Sequence, residues 1–152
     1  MTPLPSQSHM QAALAEADAA QARGEVPIGA VVVDDTGQIL ARAGNRTREL
    51  NDPTAHAEML AIRAACAAIG SERLTGADLY VTLEPCPMCA TAISFARIRR
   101  LYFGAPDTKG GGIEHGPRIF NQPTCHHAPE IYGGIEETRA ADLLRAFFAG
   151  RR

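Results

Sequence analysis

Tryptophan is absent from this sequence, and Phe and Tyr together bring the aromatic share to only 5%. Positive charge is not in excess either: 15 Lys and Arg against 17 Asp and Glu leave a net charge of −2. No global positive field therefore advertises a nucleic-acid partner, and any such partner has to be met by a local basic patch. No apolar run approaches the length that crosses a bilayer. The opening "MTPLPSQSHMQAAL" lacks the basic start and apolar run of an export signal, so a cytoplasmic location is the expectation. Internal repeats are missing, low complexity is confined to the three glycines 110–112, and no linker separates two candidate cores. What is there is a chain of 152 residues, 45% hydrophobic and 21% charged. That is the make-up of one soluble globular domain (1–152) with a sizeable core. Its four cysteines, at 66, 86, 89 and 125, could pair as two disulfides, but without an export signal they read rather as thiols or metal ligands.

Helical and strand periods alternate along the chain. "QSHMQAALAEADAAQARG" is Ala-rich, places Met10, Leu14 and Ala17 on one face and meets a stop at Gly24. "IGAVVVDD" is a buried strand, and Asp35-Thr36-Gly37 turns it into "QILARAG" as a hairpin. Asp52-Pro53-Thr54 opens a second helix, with Thr54 its candidate N-cap. "ADLYVTL" and "RRLYFGA" are strands flanking the short helix "PMCATAISFARI". Residues 108–129 form a long irregular connection, "EIYGG" a last short strand, and "IEETRAADLLRAFFAGRR" an amphipathic terminal helix. Helices between short apolar strands predict an α/β sandwich that combines a hairpin with parallel crossovers.

Two stretches carry chemistry. In "DPTAHAEMLAIRAA", His56 stands two residues before Glu58 at a helix start. On an ideal helix such a pair diverges, so the tripeptide alone is equally the solvated start of a helix whose dipole favours a glutamate. In "TLEPCPMCATAISFARI", Cys86 and Cys89 are three apart at a helix N-terminus, where both sulfurs face one side and exposed N–H groups favour thiolates. Pro85 and Pro87 suit that first turn. A redox dithiol or a pair of packed thiols would fit the two cysteines alone. Together the stretches offer one imidazole and two thiolates, three zinc ligands with a fourth position open to water, as in catalytic zinc sites. Glu58 is then the general base for that water and later an acid toward a leaving amine. A closed structural site would need a fourth protein ligand. Cys66 falls in mid-helix as a core residue, which leaves Cys125, beside His126 and His127, as the rival.

"TAHAE" with "TLEPCPMC" resembles the HxE…PCxxC signature of the zinc-dependent cytidine/nucleoside deaminase superfamily. "EVPIGAVVV", "NRTRELNDPTAHAEMLAIR", "ARIRRLYFGAPDTKGG" and "LLRAFFAGRR" extend the likeness, toward the bacterial tRNA-specific adenosine deaminases, from Glu25 nearly to the end. The resemblance implies a three-layer α/β/α sandwich of the cytidine deaminase type around a central mixed five-stranded sheet. It implies one Zn²⁺ per subunit on His56, Cys86 and Cys89, with Glu58 as proton shuttle. It further implies Asn45 as a hydrogen-bonding residue of the substrate pocket, and Ala57 with Val26, Pro27 and Ile28 as walls against the base. Asp107 would contact the flanking sugar and Phe148 the anticodon loop. The activity implied is hydrolysis of adenosine to inosine at the tRNA wobble position, where the anticodon loop is already unstacked. The partners implied are that loop and a second copy of the chain, as a homodimer.

Three features point another way. "EPCPMC" also occurs in free-guanine deaminases of the superfamily, which makes a free base or nucleoside (guanine, cytosine or cytidine) the alternative substrate. The segment 110–128 departs from the usual loop-helix pattern, although His127 stands where a family histidine is expected. Arg97, Arg99, Arg100, Arg145, Arg151 and Arg152 are the residues available for a basic patch, or else a scattered solvated face.

Overall fold

The computed structural model describes residues 5–150. Its elements run α1 (Pro5–Ala22), β1 (Gly29–Val33), β2 (Ile39–Gly44), α2 (Ala57–Ile69), β3 (Asp78–Leu83), α3 (Pro87–Ala96), β4 (Arg100–Ala105), β5 (Glu130–Tyr132) and α4 (Glu137–Ala149). The five strands make one sheet in the order β2-β1-β3-β4-β5. β1 is antiparallel to both β2 and β3, whereas β3, β4 and β5 run parallel, so the sheet is mixed as expected.

Strand alternation sends successive side chains of β1 to opposite faces. Ala30 and Val32 join Ala61, Ile62 and Ala65 of α2 and Ala90 and Ile93 of α3 in one core. Val31 and Val33 join Met10, Ala13 and Leu14 of α1 and Ala140 of α4 in the other. Helices therefore cover both faces of the sheet, which gives the three-layer sandwich and explains why β1 reads as an unbroken apolar run. α1 lies very close to the sheet because Gly29 and Gly44 are cross-strand partners. A Cβ at Gly29 would stand 1.9 Å from the Ala13 carbonyl oxygen, and one at Gly44 2.7 Å from that of Glu16.

The local signals behave as their chemistry dictates, with one correction. Gly24 follows α1 at φ +87°. The turn into β2 is gathered by Asp34, whose Oδ1 accepts N–H from Thr36 (2.9 Å) and Gln38 (3.0 Å). The N-cap of α2 is His56, not Thr54. Asp52 Oδ1 engages both the N–H and the hydroxyl of Thr54, at 2.8 and 2.7 Å, so that side chain closes the preceding turn instead of capping the helix. The irregular connection holds a 3₁₀ turn, Ile119–Asn121, and is anchored through Ile113 and Phe120 in the core beside α3. No helix among the described residues is long and apolar enough to cross a membrane.

Candidate active site

The N-termini of α2 and α3 meet. His56 has extended backbone (φ −74°, ψ 153°), so it stands outside the helix that Glu58 has already entered, and the divergence expected of two helical residues does not arise. Cys86 is likewise the extended N-cap of α3, Pro87 occupies the first turn, and Cys89 lies within it. His56 Nδ1 is 3.6 Å from each of the two sulfurs. A tetrahedral zinc ion with Zn–N near 2.05 Å and Zn–S near 2.3 Å has an N···S edge of about 3.6 Å, so the three donors fit that ion. Among the described residues, these are the one group of three His, Cys, Asp or Glu whose ligating atoms lie within 4.8 Å of one another.

The charges agree with the geometry. The Cys86 thiol is pulled down to about 4, first by the hydrogen bond from Cys89 and then by His56, against the cost of burial. Cys89 is pushed up, first by that same hydrogen bond and then by burial. The opposite shifts describe two sulfurs sharing one proton, which a divalent cation between them would replace. His56 is raised, chiefly by its hydrogen bond with Cys86. Glu58 is buried against this cluster, and desolvation raises its carboxyl to about 7. A carboxyl there exchanges protons readily near neutral pH.

Four of the other expected residues come together. Val26, Ile28, Asp107 and Phe148 line one groove of about 570 Å³ with Leu83, Lys109 and Leu144. Leu83 stands three residues before Cys86, so the groove adjoins the metal loop along the chain. Pro27, between two lining residues, is buried outside that wall. Ala57 is fully buried in the core under α2 and α3. Asn45 follows β2 and is 4% exposed; its Nδ2 donates to Glu25 Oε1 (3.3 Å) and Thr47 Oγ1 (3.2 Å).

Two residues without a spacing signal also bear on the site. Lys109 lines the groove beside Asp107, and its motif "GAPDTK" was the only pointer to it. Glu84, inside "TLEPCPMC", takes N–H groups from residues 23 to 31 positions downstream, a long-range set that no local pattern announces. Burial opposes its charge, but the N–H groups of Asp107, Glu114 and Ile113 and the His115 ring outweigh that and hold its carboxyl below the ordinary value.

The rival metal ligand is elsewhere. Cys125 Sγ donates to the His127 carbonyl oxygen at 3.2 Å and lies 3.5 Å from Ser94 Oγ of α3, and His127 Nε2 contacts the Ile98 carbonyl oxygen at 2.7 Å, so both residues tie the irregular connection to the end of α3. All four cysteines are free thiols. The basic patch is not assembled among the described residues: Arg99 pairs with Asp78, Arg100 with Glu130 and Arg145 with Asp142. Arg97 donates to the Ser94 carbonyl oxygen, and Arg151 and Arg152 lie outside the described residues.

Residues 5–105 match the family model for the cytidine and deoxycytidylate deaminase zinc-binding region. A tRNA-specific adenosine deaminase of Agrobacterium fabrum is 66% identical over 143 residues, covering 94% of this chain and 93% of that protein. A structure from work on A-to-I editing by tRNA:A34 deaminases at the wobble position superposes with a TM-score of 0.88 at 66% identity, over 90% of this chain and 99% of that one. A guanine deaminase from Bacillus subtilis is 34% identical, with a TM-score of 0.66 over 83% of each chain.

Proposed function

The chain belongs to the zinc-binding cytidine and deoxycytidylate deaminase family, and from that premise we propose hydrolytic deamination of adenosine to inosine at the tRNA wobble position. The observation that carries the reading is the buried Glu58 carboxyl set against three donors spaced for one zinc ion. His56, Cys86 and Cys89 would hold the ion, one per subunit. When bound, zinc acts as a Lewis acid that makes a water molecule reactive near neutral pH. Glu58 takes one proton from the attacking water and passes it to N1 of the adenine; it then takes the second proton from the hydroxyl now on carbon 6 and gives it to the departing amine. Carbon 6 exchanges its amino group for oxygen, and ammonia leaves. Closing the carboxyl away from solvent keeps that proton within the site.

The outer groove supports an RNA substrate over a free base. Its apolar floor, Val26, Ile28, Leu83 and Leu144, carries one exposed aromatic, Phe148, and one cation, Lys109. An exposed aromatic beside a cation suits an unstacked base and the phosphate next to it. Asp107 holds its loop through its own carboxylate, which accepts N–H from Lys109 and Gly110 at 3.1 and 2.9 Å. Asn45 contributes hydrogen bonding to the base or ribose. The remaining elements of the proposal are a cytoplasmic enzyme, a single domain and a homodimer. Among the described residues Phe95 on α3, 66% exposed, is the most exposed large apolar side chain and a candidate contact for that second copy.

The test is ammonia release by the zinc-loaded protein. An arginine tRNA anticodon stem-loop with A at the wobble position is compared with free guanine, cytosine, adenosine and cytidine. Turnover confined to the stem-loop, yielding inosine, is the expected result; turnover on a free base with the RNA inert would overturn the substrate and keep the zinc chemistry.

A further inference from the structure

One buried carboxylate outside the metal cluster has an unusual set of partners. The side chain of Glu84 has no solvent exposure. Its Oε1 accepts the Asp107 N–H at 3.0 Å and meets His115 Nδ1 at 2.7 Å. Its Oε2 accepts the N–H groups of Ile113, Glu114 and His115 at 3.2, 3.0 and 3.2 Å. The partners belong to two different parts of the site. Asp107 starts the stretch 107–110 that walls the groove. Residues 113–115 continue the glycine run, which lies directly on the metal loop. The Gly112 N–H donates to the Pro85 carbonyl oxygen at 2.8 Å. A Cβ on Gly112 would stand 2.7 Å from Pro87 N, and one on Gly111 2.3 Å from Glu84 Oε2. Gly111 and Gly112 are thus the residues that let this turn close on Glu84 and on the Cys86 loop together.

We infer that Glu84 is a positioning residue, which locks the Asp107–Lys109 wall of the groove to the Pro85–Pro87 loop that carries Cys86. It acts through the backbone it holds. Without it the Gly112–Pro85 backbone hydrogen bond remains, but the N–H groups of Asp107 and of residues 113–115 lose their shared acceptor, and a small misplacement of a bound base relative to the reacting groups is costly. The inference rests on the reading of the groove as the RNA seat.

The experiment uses Glu84→Gln in the zinc-loaded, full-length protein. The amide keeps the size but replaces an acceptor oxygen with an NH₂ group that faces other donors. Zinc content stays at the wild-type level. KM for the stem-loop rises roughly tenfold while kcat at saturation stays within about threefold of wild type. A role in folding alone would lower kcat with the active fraction and leave KM unchanged. That result, or zinc lost in step with activity, overturns the inference. Where Glu84→Gln does not fold, His115→Ala carries the test: its ring meets Glu84 and is a third exposed, so KM rises about threefold with the melting temperature held. An unchanged KM there overturns the inference equally. Phe148→Ala is measured beside both. A raised KM in Phe148→Ala alone sinks the Glu84 role, whereas no change in any variant removes the groove as the RNA seat as well.

Discussion

Adjacent phenylalanines on α4 give a test in which stability and recognition separate. Phe147 is 5% exposed and Phe148 55% exposed, with their rings edge to face at 5.2 Å and 82°. Phe147→Ala removes a buried ring and leaves a cavity, which costs about 3 kcal/mol at the low end for such a change near a helix end. At roughly 2–4 °C per kcal/mol for a chain of this size, its melting temperature falls by about 6–12 °C. Phe148→Ala loses part of an edge contact, worth about 1 kcal/mol, and gains about half that from the better helix former, so its melting temperature barely moves. Catalysis should show the reverse. Stacking of a base on an aromatic ring is worth about 1–3 kcal/mol, so Phe148→Ala lowers kcat/KM on the anticodon stem-loop by roughly 10- to 100-fold. Phe147→Ala, assayed well below its melting temperature, keeps a wild-type KM. Thermal denaturation and initial-rate ammonia release on the same preparations supply both readouts. A Phe148→Ala enzyme with wild-type kcat/KM, or a Phe147→Ala enzyme as stable as wild type, would refute the assignment of the two faces of α4.

Three further outcomes follow from the site. Glu58→Gln retains its zinc, by metal analysis, and loses about 10²- to 10⁴-fold in turnover; a variant with several per cent of wild-type activity would remove Glu58 from the proton path. In zinc-stripped protein, Cys86 is already thiolate above about pH 4. Its alkylation rate by iodoacetamide is therefore flat from about pH 6 to 8, where an ordinary thiol gains about tenfold per unit. A tenfold rise per unit, or no protection on adding zinc back, counts against the paired sulfurs. Gly112→Ala puts a methyl 2.7 Å from Pro87 N and 2.9 Å from the Cys86 carbonyl carbon. Backbone cannot rotate away as a side chain does, so zinc affinity in a chelator competition drops by roughly 10-fold or more, and an unchanged affinity would mean the turn yields elsewhere.

Much of this molecule is local, and local features are legible in order along the chain. The apolar run of β1, the heptad-like spacing of Met10, Leu14 and Ala17, and the stop at Gly24 each follow from rules that span a few residues. The CxxC pair and the HxE pair belong to the same class, because a cap and a first turn place their side chains within one element. Thr54 shows the limit: it has the chemistry of a cap, yet Asp52 competed for its hydroxyl and won, which shifted the cap to His56. The scattered arginines could be counted, but only the fold shows Asp78, Glu130 and Asp142 beside them.

By itself the sequence determined the elements, the mixed α/β class and the candidates for holding a metal and carrying a proton, His56, Cys86, Cys89 and Glu58. Only the tertiary structure decided that the starts of α2 and α3 face each other, that Val26, Ile28, Asp107 and Phe148 share one groove, and that Glu84, two residues before Cys86, accepts the Asp107 N–H of that groove. The physical reason is distance along the chain. The His56–Cys86 contact spans 30 residues and the Glu84–His115 contact 31, and what closes them is packing of helices and loops on a common sheet. No short-range periodicity encodes that packing.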